Sequence, residues 1–258
     1  MIKVAGKEIK YNELTVDYAE RSIERDILKT LSESDKEFRY DSMGELTFET
    51  DLRKRIIDAS IALYRGRLRF RTFRESECNE AYWDRMGNGG FRLRSGVKPS
   101  AGIRDIFRHT SRYATECATA IMMVFYKAVL DIFKDDLFDS TFPEIVLMNW
   151  LYSENKMGVA TYRNPDVLLA GDCRYFKNPD VDPATPEWQG ENAIDLGDGT
   201  FYGHGLGIRN AEGIIRALNR NRIPGSEISA YLMKSATRPD FKRLYRVYGA
   251  APVPATVT

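Results

Sequence analysis

The sequence sets a carboxylate and a thiol side by side, Glu116-Cys117, at the mouth of its most apolar segment, RYATECATAIMMVFYKAVLDIF (Arg112–Phe133). From Ala118 to Phe133 only Lys127 and Asp131 interrupt an apolar cylinder, the pattern of a helix buried on nearly all sides. Thr110, Ser111 and Thr115 are candidate N-caps, which places Cys117 in or near the first turn. Free N–H groups and the positive end of the helix dipole favour a thiolate there, and could hold an oxyanion formed at an attacked carbonyl. Glu116 works against the thiolate, but a partly desolvated carboxyl gains proton affinity and can carry protons. Cys117 is therefore either a nucleophile or a small buried hydrophobe.

A second stretch supplies the other parts. GENAIDLGDGTFYGHGLGI (Gly190–Ile208) contains Asp198-Gly199, the signature of a two-residue hairpin turn. That turn pairs Ala193 with His204 and Glu191 with Leu206, and makes Glu191 and His204 diagonal neighbours on one face. A three-residue loop shifts the register by one and puts them on opposite faces. Glycines at 203, 205 and 207 mark close approach of backbone or ligand. Cysteine, histidine and carboxylate together are the parts of covalent acyl transfer, with a core histidine and a solvated edge carboxylate as the bland alternatives.

The remaining thiols and histidine read differently. Cys78 lies in a polar stretch as an incidental thiol, Cys173 follows a buried-looking strand as packing, and His109 is a surface polar residue. The three cysteines form no CxxC pair, and the acidic residues from Asp180 to Asp198 lack the spacing of a calcium loop, so no metal site is expected.

The elements that must hold these residues follow from pattern. Thr15 caps VDYAERSIERDILKTL, and Ser42 caps MGELTFETDLRKRIIDASIALY, which ends before Gly66, so residues 1–65 are largely helical. RLRFRTF alternates as a strand, DRMGNGGFRLRSG joins two short strands, and AGIRDIFRH follows Pro99-Ser100 as a helix. After Asp139 the stretches EIVLMNWLYS, PDVLLAGDCRYF, ENAIDL and TFYGHGLGI read as strands, with NAEGIIRALNRN as the last helix. Helices first and an antiparallel sheet second give an α+β class, one domain over residues 1–248, and a disordered Pro/Ala-rich tail at 249–258.

Composition adds bounds. Apolar residues are 43% and charged residues 29% of 258, and the net charge of +1 gives no general pull toward nucleic acid or membrane. The opening MIKVAGKEIKYNELT lacks an apolar core, and the run from Ala118 to Tyr126 is too short to span a bilayer, so a soluble chain made in the cytoplasm is expected. Arg53, Lys54, Arg55, Arg65, Arg67, Arg69, Arg71 and Arg74 form a basic stretch that could track phosphates or be a solvated edge.

YATECATAI, GDCRYFKNP, WQGENAI and HGLGI, with IRDI, AYW and SAYLMKSATR in register, resemble the bacterial spore-coat protein-glutamine γ-glutamyltransferases over residues 1 to 247. The match is loose from Trp83 to Pro99 and ends before the Pro/Ala-rich tail. The resemblance implies a compact papain-like fold and calcium-independent cross-linking of Gln- and Lys-bearing proteins, coat proteins among them, with deposition on the spore coat. It makes Cys117 the nucleophile, Glu191 its carboxylate partner, Glu116 a back-up and His204 a base or orienting group. Trp188, Trp150 and Phe70 are the expected apolar walls that keep water from the thioester. A papain-like peptidase, amidase or deamidase is the nearest rival, and a basic nucleic-acid-binding module the rival of another class.

Overall fold

The computed structural model describes residues 1–150 and 156–250. β1 (Ile2–Val4) turns through Ala5 and Gly6 into β2 (Lys7–Glu8) and lies parallel to β3 (Phe38–Tyr40), a small sheet the sequence pattern did not announce. Between them come α1 (Tyr11–Leu14) and α2 (Ile23–Glu33). Thr15 does not cap α2. Ser22 does, accepting from the Arg25 N–H at 3.4 Å, while the Arg25 guanidinium donates to the carbonyls of Tyr18 and Thr15 at 3.0 and 2.9 Å and holds the residues between as turns.

α3 (Met43–Gly66) starts at Ser42 as expected and stops at Arg67, which adopts a left-handed conformation at φ 56°. Of the strand expected in RLRFRTF only β4 (Arg69–Phe70) forms, and it pairs in parallel with β7 (Ala114–Thr115). β5 (Trp83–Arg85) and β6 (Phe91–Leu93) flank the Gly-rich turn, and α4 (Pro99–Arg108) begins on proline, whose missing N–H costs nothing there. α5 (Cys117–Phe133) and α6 (Asp135–Thr141) follow. The strand expected from Glu144 shrinks to β8 (Val146–Leu147) on β6, and its far end lies outside the described residues.

The main sheet is antiparallel throughout. It comprises β9 (Ala160–Arg163), β10 (Cys173–Lys177), β11 (Gly190–Asp195), β12 (Thr200–Gly203), β13 (Gly207–Asn210), β14 (Tyr231–Leu232) and β15 (Ser235–Arg238). Its order is β13-β12-β11-β10-β15-β9, with β14 also on β10. α7 (Ala211–Asn219) is not the last helix: α8 (Phe241–Gly249) follows Pro239, capped by Asp240. Arginine and lysine between its apolar positions hid the stripe of Phe241, Leu244 and Tyr245 that packs toward α3. Gly249, expected in the tail, closes this helix; residues 251–258 are outside the described range.

The largest core forms where α5 packs between α3 and β11. Ala120, Met123, Val124, Phe125 and Val129 are fully buried, each of the larger ones contributing roughly 1.5–3 kcal/mol of transfer free energy. That burial fixes the axis of α5, and so the place of its first residue, Cys117.

The β11–β12 hairpin corrects the expected register. Ala193 lies opposite Gly203, Ile194 opposite Tyr202 and Asp195 opposite Phe201. The Leu196 N–H bonds to the Thr200 carbonyl at 3.0 Å, which leaves a three-residue loop with Gly197 and Gly199 at φ 86° and 82°. Two positive-φ glycines allow this loop as readily as the shorter turn, and sequence could not choose between them. Glu191 and His204 are not diagonal neighbours on one strand face.

Candidate active site

Glu116 answers for its own position. It is the N-cap of α5: its carboxylate accepts from the N–H groups of Ala118 at 2.7 Å and Thr119 at 2.5 Å. The three expected caps are displaced because Thr115 is held in β7, opposite Phe70. A carboxylate cap satisfies both the orphan donors and the dipole, and such a cap is worth about 1 kcal/mol. Those two N–H groups are thereby taken, and cannot hold an oxyanion.

Cys117 is the first helical residue, partly buried at the wall of a groove of about 650 Å³ that Phe70, Tyr175, Glu116, Gln189 and Asn192 also line. The expectation that a helix start favours the thiolate is outweighed here. Burial, then the charges of Glu191 and Glu116, push the thiol well above its ordinary range. Asn192 opposes them: its side-chain amide Nδ2 donates to Sγ at 3.4 Å, and its backbone N–H also favours the thiolate.

Glu191 is 2% exposed, on β11 opposite Phe176. Burial first, then the charge of Glu116, raises its carboxyl well above the ordinary carboxylate range, with only the His204 backbone N–H pulling it down. Its Oε1 has no hydrogen-bond partner among the described residues. Gly203 makes room for it: a Cβ there would stand 3.1 Å from Cγ and Oε1 of Glu191.

His204 lies beyond the end of β12, where the chain turns through Gly205 at φ 95°. That turn, rather than strand alternation, brings its N–H to Glu191. The imidazole is fully engaged: Nε2–H donates to the Thr115 carbonyl at 3.1 Å, so Nδ1 accepts from the Tyr202 hydroxyl at 3.2 Å. Burial pushes it down to about 4 against the pull of the Thr115 and Arg69 carbonyls, so the ring is neutral at pH 7.

The expected walls separate. Phe70 lines the groove, and a Cβ on Gly205 would meet its ring at 3.0 Å. Trp188 stands behind it, rings stacked with centroids 5.7 Å apart. Trp150 packs on the main core, and its neighbour Asn149 reaches the groove instead. Asn192 and Tyr175, directly opposite each other on β11 and β10, went unnoticed in the sequence. The correct hairpin register would have pointed to Asn192, since it turns that residue to the face Glu191 was assigned.

The other candidates stay outside. Cys173 is buried in the core, and Cys78, pushed up to about 11 by burial, donates toward the Trp83 carbonyl. His109 pairs with Asp105 at 2.7 Å beside a different groove. The basic stretch is not one face: Arg53 is buried on Asp172 and Glu49, Lys54 and Arg55 pair with Asp58, and Arg69 pairs with Glu77. Among the described residues no group of three His, Cys, Asp or Glu is placed to hold a metal ion, and no helix is long and apolar enough to cross a membrane.

A cysteine on the first turn of a buried helix, packed against an antiparallel sheet that carries a buried carboxylate, is the architecture of papain-like cysteine enzymes. Comparison with known proteins narrows the class. The chain belongs to the protein-glutamine γ-glutamyltransferase family, whose model matches residues 1–248. Protein-glutamine γ-glutamyltransferases of Bacillus cereus (strain B4264) and Bacillus mycoides (strain KBAB4) are 39% and 40% identical to it over 254 residues, covering 98% of this chain and 91% of each relative. A transglutaminase from Geobacillus stearothermophilus, solved without its C-terminal extension, superposes with a TM-score of 0.75 at 48% identity, over 79% of this chain and 97% of that one. The chain is thus an acyltransferase that cross-links proteins, moving the γ-glutamyl group of a protein-bound glutamine onto a lysine.

Proposed function

We propose that Cys117 is the nucleophile of this transfer and Glu191 its proton carrier, with Glu116 and His204 as positioning residues. The observation that carries the reading is the free Glu191 Oε1, buried within electrostatic reach of the Cys117 sulfur. As sulfur attacks the glutaminyl carbonyl, the thiol proton passes to Glu191, and the S–C bond forms. The tetrahedral intermediate collapses as Glu191 returns that proton to the departing ammonia, leaving a thioester. The incoming lysine amine then attacks, gives its proton to Glu191, and the C–S bond breaks to restore the thiol.

Asn192 supplies a side-chain donor beside the capped first turn, holding the sulfur and then the oxyanion. His204, a neutral strut between β12 and Thr115, sets the distance from the sheet to the helix start. Phe70 and Trp188 keep water from the thioester. Every acid–base group in this scheme belongs to the chain, so we propose that transfer needs no calcium, and that residues 1–248 act as one catalytic unit. Proteins of a spore coat are the substrates we propose, on the motif resemblance described above, with synthesis in the cytoplasm and deposition on the coat.

The test is incorporation of a labelled primary amine into a Gln-rich protein, with and without a calcium chelator. Wild type labels the protein in both; Cys117→Ala does not. Ammonia release without incorporation would make the chain a deamidase, and loss of labelling on chelation would refute calcium independence. In a spore-forming host, coats from a Cys117→Ala strain should lose their boiling-resistant high-mass protein; unchanged coats would remove the coat assignment.

A further inference from the structure

The 258 residues contain 13 lysines and one glutamine, Gln189. That glutamine lies in the wall of the groove beside Cys117. Its backbone is pinned on both sides: its N–H bonds to the Pro186 carbonyl at 3.1 Å and its carbonyl accepts from the Asn178 N–H at 2.9 Å. The next residue, Gly190, is packed so tightly that a Cβ would stand 2.2 Å from the Tyr175 hydroxyl. An acyl donor must lower its carboxamide into the groove of another molecule. Gln189 is exposed, but its backbone is held in a short turn between such anchors, which opposes the extended docking a donor needs.

The lysines stand differently. Lys7 on the β1–β2 hairpin, Lys134 between α5 and α6, and Lys234 between β14 and β15 are exposed. Lys10, Lys36, Lys98 and Lys177 are exposed as well. Among the described residues none of these seven is ion-paired, whereas Lys3, Lys54, Lys127 and Lys242 are each held by a carboxylate.

We propose that the enzyme is a one-way substrate of its own family's reaction: an acyl acceptor through exposed lysines, and not an acyl donor. It is thereby grafted onto the glutamine-bearing proteins it cross-links without polymerising with itself. The step is the ordinary one. A thioester on Cys117 of one molecule meets the lysine amine of a second; the C–N bond forms, the C–S bond breaks, the amine proton leaves through the carboxylate, and the thiol is restored. The proposal rests on the γ-glutamyltransferase reading.

Three reactions test it. A fluorescent primary amine with a Gln-rich protein must label that protein; silence there counts against the transferase activity itself and takes the proposal with it. The same amine with the chain alone should leave the chain unlabelled, and label at Gln189 found by peptide mass spectrometry would overturn the donor half. A biotinylated glutamine-donor peptide, with trace wild type as catalyst and excess Cys117→Ala chain as target, should biotinylate the target's lysines, these seven ahead of Lys3, Lys54, Lys127 and Lys242. No biotin on the target while the first reaction runs would overturn the acceptor half. Full biotinylation of a target carrying Lys7→Arg, Lys10→Arg, Lys36→Arg, Lys98→Arg, Lys134→Arg, Lys177→Arg and Lys234→Arg together would overturn the choice of sites.

Discussion

Two buried sets of charged groups divide this molecule. In one set, Asp172 accepts from Arg53 and Arg238, each at 2.8 Å, and Arg53 also reaches Glu49 at 2.9 Å. In the other, Glu191, Glu116 and Cys117 lie within electrostatic reach of one another, and none of them is ion-paired among the described residues. The first set has its charges matched, which ties α3 to the loop before β10 and to β15. The second leaves negative charge unmatched, which raises the proton affinity of the thiol and of the Glu191 carboxyl. Opposite charge brought into contact makes a fastening; like charge brought close makes groups that give up a proton less readily.

The sharpest way to break this contrast is Glu191→Gln, which keeps shape and removes the proposed proton carrier. Amine incorporation should fall roughly 10²–10⁴-fold with the melting temperature little changed; a purely structural Glu191 would show the reverse. Asp172→Ala should do the opposite, leaving Arg53 and Arg238 unmatched and costing about 3–5 kcal/mol in chemical denaturation, while the folded fraction keeps its activity. Asn192→Ala should lower kcat by roughly 10²–10³ with KM nearly unchanged, as expected for a donor used in the transition state.

The smallest effect is one of pH. Unfolded, His204 takes up its proton near 6.5; in the native pocket it does so only near 4. Between those values the unfolded chain binds more protons, so this residue's contribution to stability is present above 6.5 and is lost as pH falls toward 4, to a total of about 3 kcal/mol. Glu191 acts in the other sense, its contribution lost as pH rises above the ordinary carboxylate range. Urea titrations of wild type and His204→Gln at pH 7 and pH 4 separate the two. Wild type should lose more on acidification than the variant, and equal losses would remove His204 as the sensing group.

Much of this was legible before any coordinates. Ser42 and the apolar run after Cys117 marked α3 and α5 because capping and burial are local and periodic. Helices followed by an antiparallel sheet, and the thiol on the first turn, came from the same signals. The register of β11 on β12 did not, since Gly197 and Gly199 permit two loops of different length. With it went Asn192, which a one-residue slip turns to the wrong face. α8 was missed because its charged residues mask a narrow apolar stripe, and α2 began late because Arg25 ties down a turn that has a helical period.

The hydrogen bond from Asn192 to Cys117 spans 75 residues of sequence. A growing chain that has emerged only through Phe133 has its sulfur and the Glu116 cap, yet lacks both the amide and the carboxyl that the proposed mechanism requires. On that mechanism, reactivity waits until about three quarters of the chain has been synthesised.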